Sequence, residues 1–183
     1  MRLFTGIDLP EEIRAKIERL LMHLRPAAHL KWSPIYNLHL TVKFIGEWPE
    51  EKRPQLDAGC RSLVHRAPIR AEVKGLGWYP NPYHPRVFWA GVGAGPELEA
   101  LAKDTDAALA PLGIAPEERA YSPHLTLARI KDPVPLHALR AAIEKLDSLE
   151  FGSFVADRFF LFRSQPGSAG SIYTKLAEYP FER

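Results

Sequence analysis

The sequence predicts an α+β fold with two pseudo-symmetric lobes, each a small, mainly antiparallel sheet flanked by helices, around a central cleft. The order strand, helix, strand, helix, strand occurs twice at one offset of 84–86 residues. The tripeptide His-Leu-Thr also occurs once in each copy, at 39–41 and 124–126. An internal duplication explains both observations, with repeat units of about 2–79 and 86–163 in one bilobal domain.

The first unit is predicted from local pattern. Proline and two glutamates open the first helix, whose apolar residues recur at helical spacing. Pro54 interrupts the start of the second helix. Short, turn-bounded apolar runs indicate the strands. The five elements in order cover residues 2–8, 9–24, 38–45, 49–64 and 69–79.

The second unit repeats this order after a proline-rich segment at 79–85, which is predicted to be a hairpin tip or a crossover between lobes. A final strand over about 171–179 has no counterpart in the first unit. The five predicted elements of the second unit cover residues 86–92, 96–110, 124–130, 135–146 and 154–162.

Composition narrows the function. A net charge of +2 argues against strong binding to long nucleic acids, which needs many lysine and arginine contacts to phosphates, but it allows a substrate with one or two phosphates. Cys60 is the single cysteine, which favours a reducing compartment. There is no pattern of a signal peptide and no apolar run long enough to cross a membrane. We therefore expect a cytoplasmic soluble protein.

Each copy of the repeated tripeptide places a histidine and a threonine side chain on the same face of a strand. Because side chains alternate along a strand, His39 and Thr41 share a face, with Lys43 next along it, and His124 and Thr126 share a face in the second unit. Their neighbours are expected to point into the core: Leu38, Leu40, Val42, Phe44, Leu125 and Leu127.

Two histidines across a cleft suit in-line phosphoryl chemistry. One can accept a proton from the attacking group while the other donates a proton to the leaving oxygen, because the pKa of histidine lies near neutrality. The threonine hydroxyls can hold the non-bridging oxygens. No zinc spacing and no phosphate-binding GxxxxGK[ST] loop is present, so the pattern predicts neither a metal nor a nucleotide cofactor.

Four stretches resemble one known family in the same order: "RLFTGIDLP" at 2–10, "NLHLTVKFIGE" at 37–47, "SPHLTLAR" at 122–129 and "RSQPGSAGSIYTKL" at 163–176. The family is the 2H phosphoesterases, named for two H-x-T-x motifs. Within it the chain resembles the bacterial and archaeal RNA 2′,3′-cyclic phosphodiesterases, formerly called 2′-5′ RNA ligases.

The resemblance implies a substrate for the protein and a role for each of the four motif residues. The substrate would be an RNA 3′ end bearing a 2′,3′-cyclic phosphate, opened to a 2′-phosphomonoester without metal or other cofactor. His39 would be the proton donor, His124 the proton acceptor, and Thr41 and Thr126 the phosphate-binding residues. The protein would act as a monomer.

Further residues are weaker candidates for substrate binding. The resemblance favours Arg129, but simple alternation turns it away from His124, so it would need a bulge to reach a phosphate. Lys43 could add a phosphate contact or depress the pKa of His39. Tyr121 and Tyr173 could stack on a terminal base, and Ser164 could line the cleft.

Three other functions remain open from the sequence. The same site could run the chemistry in reverse, as an ATP-independent ligase that forms a 2′-5′ linkage. It could act on a small cyclic phosphate or nucleotide, or it could bind RNA ends without catalysis.

Overall fold

Nine strands form two antiparallel sheets in the computed structural model, which describes residues 1–183. The strands are β1 (Arg2–Asp8), β2 (Lys31–Trp32), β3 (His39–Glu47), β4 (Ile69–Tyr79), β5 (Val87–Ala94), β6 (His124–Arg129), β7 (Glu150–Ala156), β8 (Arg158–Gln165) and β9 (Ile172–Pro180). The first sheet has the order β3-β1-β8-β9, and the second has the order β2-β6-β5-β4-β7. The predicted α+β class with two antiparallel sheets is confirmed.

Each half of the chain contributes a long strand to the sheet that holds the other half's His-Leu-Thr motif: β4 from the first half and β8 from the second. The first half places β1 and β3 in the first sheet but β4 in the second, and the second half places β5 and β6 in the second sheet but β8 in the first. The central order β3-β1-β8 therefore matches β6-β5-β4. This arrangement is what a duplication with exchanged strands would produce.

Four helices cover the sheets, and short 3₁₀ turns extend or precede several of them. The helices are α1 (Glu11–Leu24), α2 (Arg53–Arg61), α3 (Pro96–Leu109) and α4 (His137–Glu144). Helix α1 packs against β7 and α4, and α3 packs against β3 and α2. The apolar stripe of α1 is buried as predicted. No helix has both the length and the apolar character needed to cross a membrane.

Two helices differ in detail from the prediction. Pro54 lies in the first turn of α2, so the helix begins at Arg53 after a separate 3₁₀ turn over 50–52. A proline is tolerated there because the first backbone N–H groups of a helix have no partner within it. Helix α4 begins at His137, two residues later than the predicted start.

The predicted strand over 154–162 is in fact two strands. The chain breaks at Asp157, so that β7 pairs with β4 in the second sheet while β8 pairs with β1 in the first. A continuous β pattern does not reveal such a change of sheet, because both strands keep buried apolar residues. The segment 79–85 is a hairpin tip, since β4 and β5 are paired neighbours in one sheet.

Candidate active site

A cleft of about 330 Å³ lies where β3 of the first sheet approaches β6 of the second. Both predicted histidines and both predicted threonines line it. Three weaker candidates line it as well: Arg129, Ser164 and Tyr173. The fold therefore brings together seven side chains that are distant in the sequence.

A β-bulge follows the first His-Leu-Thr tripeptide. The pairing of β1 with β3 slips by one residue at Val42, because Gly6 faces Thr41 while Thr5 faces Lys43. A bulge of this kind reverses the faces of the residues that follow it, here up to a second slip at Ile45. Val42 and Lys43 are consequently both buried, and Phe44 is exposed on the side of the cleft.

Lys43 is therefore not a cleft residue, and the expectation that it continues the face of His39 is wrong. Its side chain is only 2% exposed and its ammonium lies 2.7 Å from a carboxylate oxygen of Asp106. It also donates a hydrogen bond of 2.7 Å to the carbonyl of Ala115 and lies 3.6 Å from Glu117. Lys43 ties β3 to α3 and to the loop that leads into β6. The expectation that Phe44 enters the core is wrong for the same reason.

The second tripeptide is followed by a bulge at the equivalent place. The pairing of β5 with β6 slips between Thr126 and Ala128, so Leu127 is the extra residue. Leu127 and Ala128 are both buried, and Arg129 lines the cleft. The bulge thus supplies the change of face that Arg129 needed, and the simple alternation argument against it fails.

The backbone fixes the tautomer of His39. Its Nδ1 lies 2.7 Å from the carbonyl oxygen of Asn37. A carbonyl oxygen only accepts hydrogen bonds, so Nδ1 carries the proton. In the neutral ring Nε2 is then the basic nitrogen, and it lies 2.8 Å from the hydroxyl of Thr41.

His124 has the same arrangement. Its Nδ1 lies 2.9 Å from the carbonyl oxygen of Ser122, two residues before it, just as Asn37 lies two residues before His39. Nδ1 again donates, and Nε2 is left free for proton transfer in the cleft. Both rings are thus held in the tautomer that acid–base catalysis at Nε2 requires.

Aromatic rings surround His39. Phe4 lies 4.6 Å away between ring centroids, Tyr173 lies 5.2 Å away with its ring edge-on, and Phe162 lies 5.7 Å away. Burial lowers the pKa of His39, and the hydrogen bond to the backbone and the carboxylate of Asp8 only partly oppose this effect. With a pKa below its ordinary value, the imidazole is mostly neutral at pH 7.

A hydroxyl group from elsewhere in the chain caps each motif threonine's carbonyl. The hydroxyl of Tyr121 donates a hydrogen bond of 2.7 Å to the carbonyl of Thr41, and the hydroxyl of Ser33 donates one of 2.8 Å to the carbonyl of Thr126. A bulge locally disrupts the ladder of a strand, so these carbonyls need other donors. Each half of the chain thereby supports the motif of the other half.

Tyr121 does not line the cleft, so the expectation that it stacks on a base there is not met. Its ring is partly buried beside a neighbouring hollow, and burial raises the pKa of its hydroxyl. Tyr173 does line the cleft, and its ring contacts both His39 and Phe4.

Several cleft residues escaped the sequence analysis. Phe4 and Arg2 come from β1, for which the sequence predicts only a buried strand, and the guanidinium of Arg2 lies 5.3 Å from the centre of the Phe44 ring. Ser33 and Asn37 precede β3 and act partly through the backbone. Asn37 accepts from Nδ1 of His39 through its main-chain carbonyl, which every residue type carries, so no signal in the sequence marks it. No group of three or more His, Cys, Asp or Glu side chains is placed to hold a metal ion.

The profile of the family described as LigT like Phosphoesterase matches the chain twice, over residues 7–89 and 92–173. Each matched segment contains one His-Leu-Thr motif. The chain belongs to the LigT-like phosphoesterases. The resemblance to the 2H phosphoesterases, of which this family is part, is thereby confirmed.

Relatives cover the full length of this LigT-like phosphoesterase. An RNA 2′,3′-cyclic phosphodiesterase of Methanocaldococcus jannaschii is 35% identical over 98% of this chain and 100% of its own length. A protein of the same name from Thermus thermophilus is 35% identical over 98% of this chain and 89% of its own.

Solved structures agree with the fold. A crystal structure of a Thermus thermophilus protein superimposes with a TM-score of 0.84 at 33% identity, covering 99% of this chain and 98% of that one. E. coli LigT complexed with 3′-AMP gives a TM-score of 0.80 at 26% identity, covering 100% and 98%.

Proposed function

We propose that this protein hydrolyses the terminal 2′,3′-cyclic phosphate of RNA to a 2′-phosphomonoester, using two histidines and neither a metal nor a nucleotide cofactor. The observation that carries the proposal is the pair of imidazoles, His39 and His124, held in the same tautomer at one cleft, each with a threonine two residues on. Two relatives named RNA 2′,3′-cyclic phosphodiesterase support this choice of substrate. We further propose that it works as a monomer in the cytoplasm.

The phosphate would bind between the two motifs. The hydroxyls of Thr41 and Thr126 and the guanidinium of Arg129 can donate hydrogen bonds to the non-bridging oxygens, and all three line the cleft. E. coli LigT has been solved in complexes with phosphate and with 3′-AMP, which are of the size and charge that this arrangement suits. Thr41 would exchange its hydrogen bond with His39 for one with the phosphate.

The assignment of proton transfers comes from the resemblance. Nε2 of His124 accepts a proton from water as the water oxygen attacks phosphorus. The bond from phosphorus to O3′ breaks on the opposite side, and Nε2 of His39 gives its proton to the departing O3′. The product carries a 2′-phosphate and a 3′-hydroxyl, and one proton has passed from His39 to product while His124 has gained one from water.

His39 must be protonated to act as donor, whereas burial lowers its pKa. The substrate resolves this conflict, because a bound phosphate anion beside Nε2 stabilises the imidazolium and raises the pKa. Binding of the substrate therefore favours the protonated form of His39, which is the form that can donate a proton. The aromatic surroundings strengthen this attraction by excluding water.

The decisive experiment uses a short RNA ending in a 2′,3′-cyclic phosphate, with EDTA and without ATP. We expect a 2′-monophosphate end. The gain of one water in mass and sensitivity to phosphatase identify a monophosphate, and chromatography against 2′- and 3′-phosphate standards identifies the isomer. His39→Ala and His124→Ala should each lower turnover by about 10²–10⁴-fold, the usual contribution of one acid or base. His23→Ala, an exposed histidine on α1, serves as the control and should retain full activity.

Each failure has a distinct meaning. Complete loss of activity in EDTA would contradict the metal-free mechanism. An unchanged RNA end would contradict hydrolysis of RNA. A ligated product would indicate the reverse reaction in the same site. Cleavage of a small cyclic nucleotide but not of RNA would indicate a phosphodiesterase with a small substrate. A loss of less than tenfold in either histidine variant would remove that histidine from the mechanism.

A further inference from the structure

A group of exposed cations adjoins the cleft on the side of the second sheet. Lys31 on β2, Arg129 at the end of β6 and Lys131 just beyond it line one hollow of about 290 Å³, together with His29. We call these four residues the basic patch. Arg129 lines both this hollow and the cleft, so the basic patch continues the phosphate-binding surface outward.

The cations of the basic patch repel one another and have no partners. Lys31 lies directly opposite Arg129 in the pairing of β2 with β6, and like charges at such positions destabilise a sheet. The positive charge of Lys131 lowers the pKa of Lys31. No carboxylate lies within 4 Å of any of the three cations, although Asp132 borders the same hollow. An anion bound here would relieve the repulsion.

The other hollows beside the cleft are unsuited to a second phosphate. The hollow on the far side of His124 is bordered by the three carboxylates of Glu99, Asp106 and Glu117, which outnumber its two cations, Lys103 and Arg119. In the hollow behind His39, Arg14 and Lys175 are already engaged by the carboxylate of Asp8. The basic patch is therefore the hollow next to the cleft in which unpaired cations outnumber carboxylates.

We propose that the basic patch binds the backbone phosphate on the 5′ side of the terminal nucleotide, so that the preferred substrate is an oligonucleotide and not a mononucleotide. This inference rests on the proposed function and adds a second point of attachment to it. Arg129 would hold the terminal phosphate, while Lys31 and Lys131 would hold the next one along the chain. The net charge of +2 fits a patch that contacts one or two phosphates and not a long strand.

The test compares kcat/KM for uridine 2′,3′-cyclic phosphate with kcat/KM for a trinucleotide ending in the same group. The trinucleotide should be the better substrate of the native protein. The double variant Lys31→Gln/Lys131→Gln should lower its kcat/KM by about three- to tenfold, the range of two exposed ion pairs, and so reduce its advantage over the mononucleotide. Lys145→Gln, another exposed lysine without an ion pair, should leave the ratio unchanged. Arg129 is kept, because it lines the cleft.

A change in the substrate makes the assignment specific. Replacing the backbone phosphate before the terminal nucleotide by an uncharged methylphosphonate should weaken the native protein's activity, and it should make the double variant and the native protein equal. The salt dependence should agree, with the slope of log(kcat/KM) against log salt falling by about 0.7 for each lost phosphate contact. Thermal unfolding should show the double variant to be no less stable, since a repulsion has been removed.

Three results would overturn the proposal: an equal loss on the mononucleotide, no effect of the methylphosphonate, or a loss caused by Lys103→Gln beside the acidic hollow instead. If neither substrate is hydrolysed, the proposed function fails. Fluorescence anisotropy with a labelled trinucleotide bearing a 3′-phosphate then tests the basic patch by itself. Binding weakened about three- to tenfold in the double variant would support the patch, and equal binding would refute it.

Discussion

The two His-Leu-Thr motifs have one backbone and two environments. Both histidines donate from Nδ1 to a carbonyl two residues earlier, and both threonines precede a bulge. Yet His39 packs among three aromatic rings and pairs across the strands with Asp8, whereas His124 pairs with Gly91. The repeated backbone holds both imidazoles in the same tautomer, and the aromatic surroundings of His39 lower its pKa by burying the ring.

The positions after the bulge differ as sharply. Lys43 and Ala128 are equivalent, and one forms a buried ion pair while the other only fills space. Phe44 and Arg129 are also equivalent, and one presents an aromatic ring to the cleft while the other presents a charge. A symmetric scaffold thus holds an asymmetric site, as an asymmetric substrate requires.

The largest expected effect distinguishes the two histidines by the leaving group. In a substrate with sulfur in place of O3′, the leaving thiolate needs no proton, because a thiol is far more acidic than an alcohol. His39→Ala should therefore recover most of its loss of about 10²–10⁴-fold on this substrate, while His124→Ala should not. Single-turnover rates on both substrates measure it.

The reverse outcome, with recovery only in His124→Ala, would exchange the two roles. Equal failure to recover in both variants would show that neither histidine protonates the leaving group. The native protein on both substrates is the reference for each comparison.

The next largest effect is on the free energy of unfolding. It concerns Lys43, which forms a buried ion pair that its equivalent Ala128 cannot form. Lys43→Met leaves Asp106 without its partner at 2.7 Å and should lower the free energy of unfolding by about 3 kcal/mol, measured with urea. The double variant Lys43→Met/Asp106→Asn should recover part of this loss, since it removes the unpaired charge. KM should stay constant, because Lys43 does not line the cleft.

Lys103→Met is the matched control, since Lys103 is an exposed lysine of α3 without an ion pair and its replacement should cost less than about 0.5 kcal/mol. A loss below about 1 kcal/mol in Lys43→Met would mean that the buried ion pair contributes little.

A third effect compares Phe44 with Arg129. Arg129→Ala should lower kcat/KM by about tenfold, the lower end of a charged hydrogen bond, because the phosphate loses a cationic donor. Arg129→Lys should restore part of the activity, since it keeps the charge. Phe44→Ala should change kcat/KM less than Arg129→Ala, and a larger loss there would make the aromatic ring the more important contact.

Part of this site can be predicted from the sequence. The repeated order of strands and helices along the chain and the two paired motifs were predictable. So was the shared face of the four central residues, because strand alternation places His39 with Thr41 and His124 with Thr126 whether or not the rest of the strand is regular. The alternation of side chains did not predict the faces of Lys43, Phe44 and Arg129, which follow the two tripeptides. A bulge precedes each of these residues, and a bulge has no reliable signal in the sequence.

Other features depended on the tertiary fold. The break at Asp157 was missed because it results from pairing with two different sheets and not from local preference. The carbonyl caps by Tyr121 and Ser33 join distant parts of the chain, and neither residue belongs to a motif.

The smallest expected effect is a shift in the pKa of His39, and it tests the environment of this residue directly. Burial lowers the pKa of His39 in the free protein, so its NMR resonance should titrate below the ordinary pKa of about 6.5. Inorganic phosphate in the cleft should move that titration upward, because the anion favours the imidazolium. Phe4→Ala should raise the pKa in the free protein, since it admits water beside the ring.

The pH dependence of the rate should change with the same sign. A proton donor loses activity as the pH rises through its pKa, and kcat/KM reports the free protein while kcat reports the complex. The alkaline fall of kcat/KM should therefore begin at a lower pH than that of kcat. Coincident profiles, or a free His39 that titrates at or above about 6.5, would show that the aromatic surroundings leave its proton affinity unchanged and that the asymmetry of the two motifs is one of shape alone.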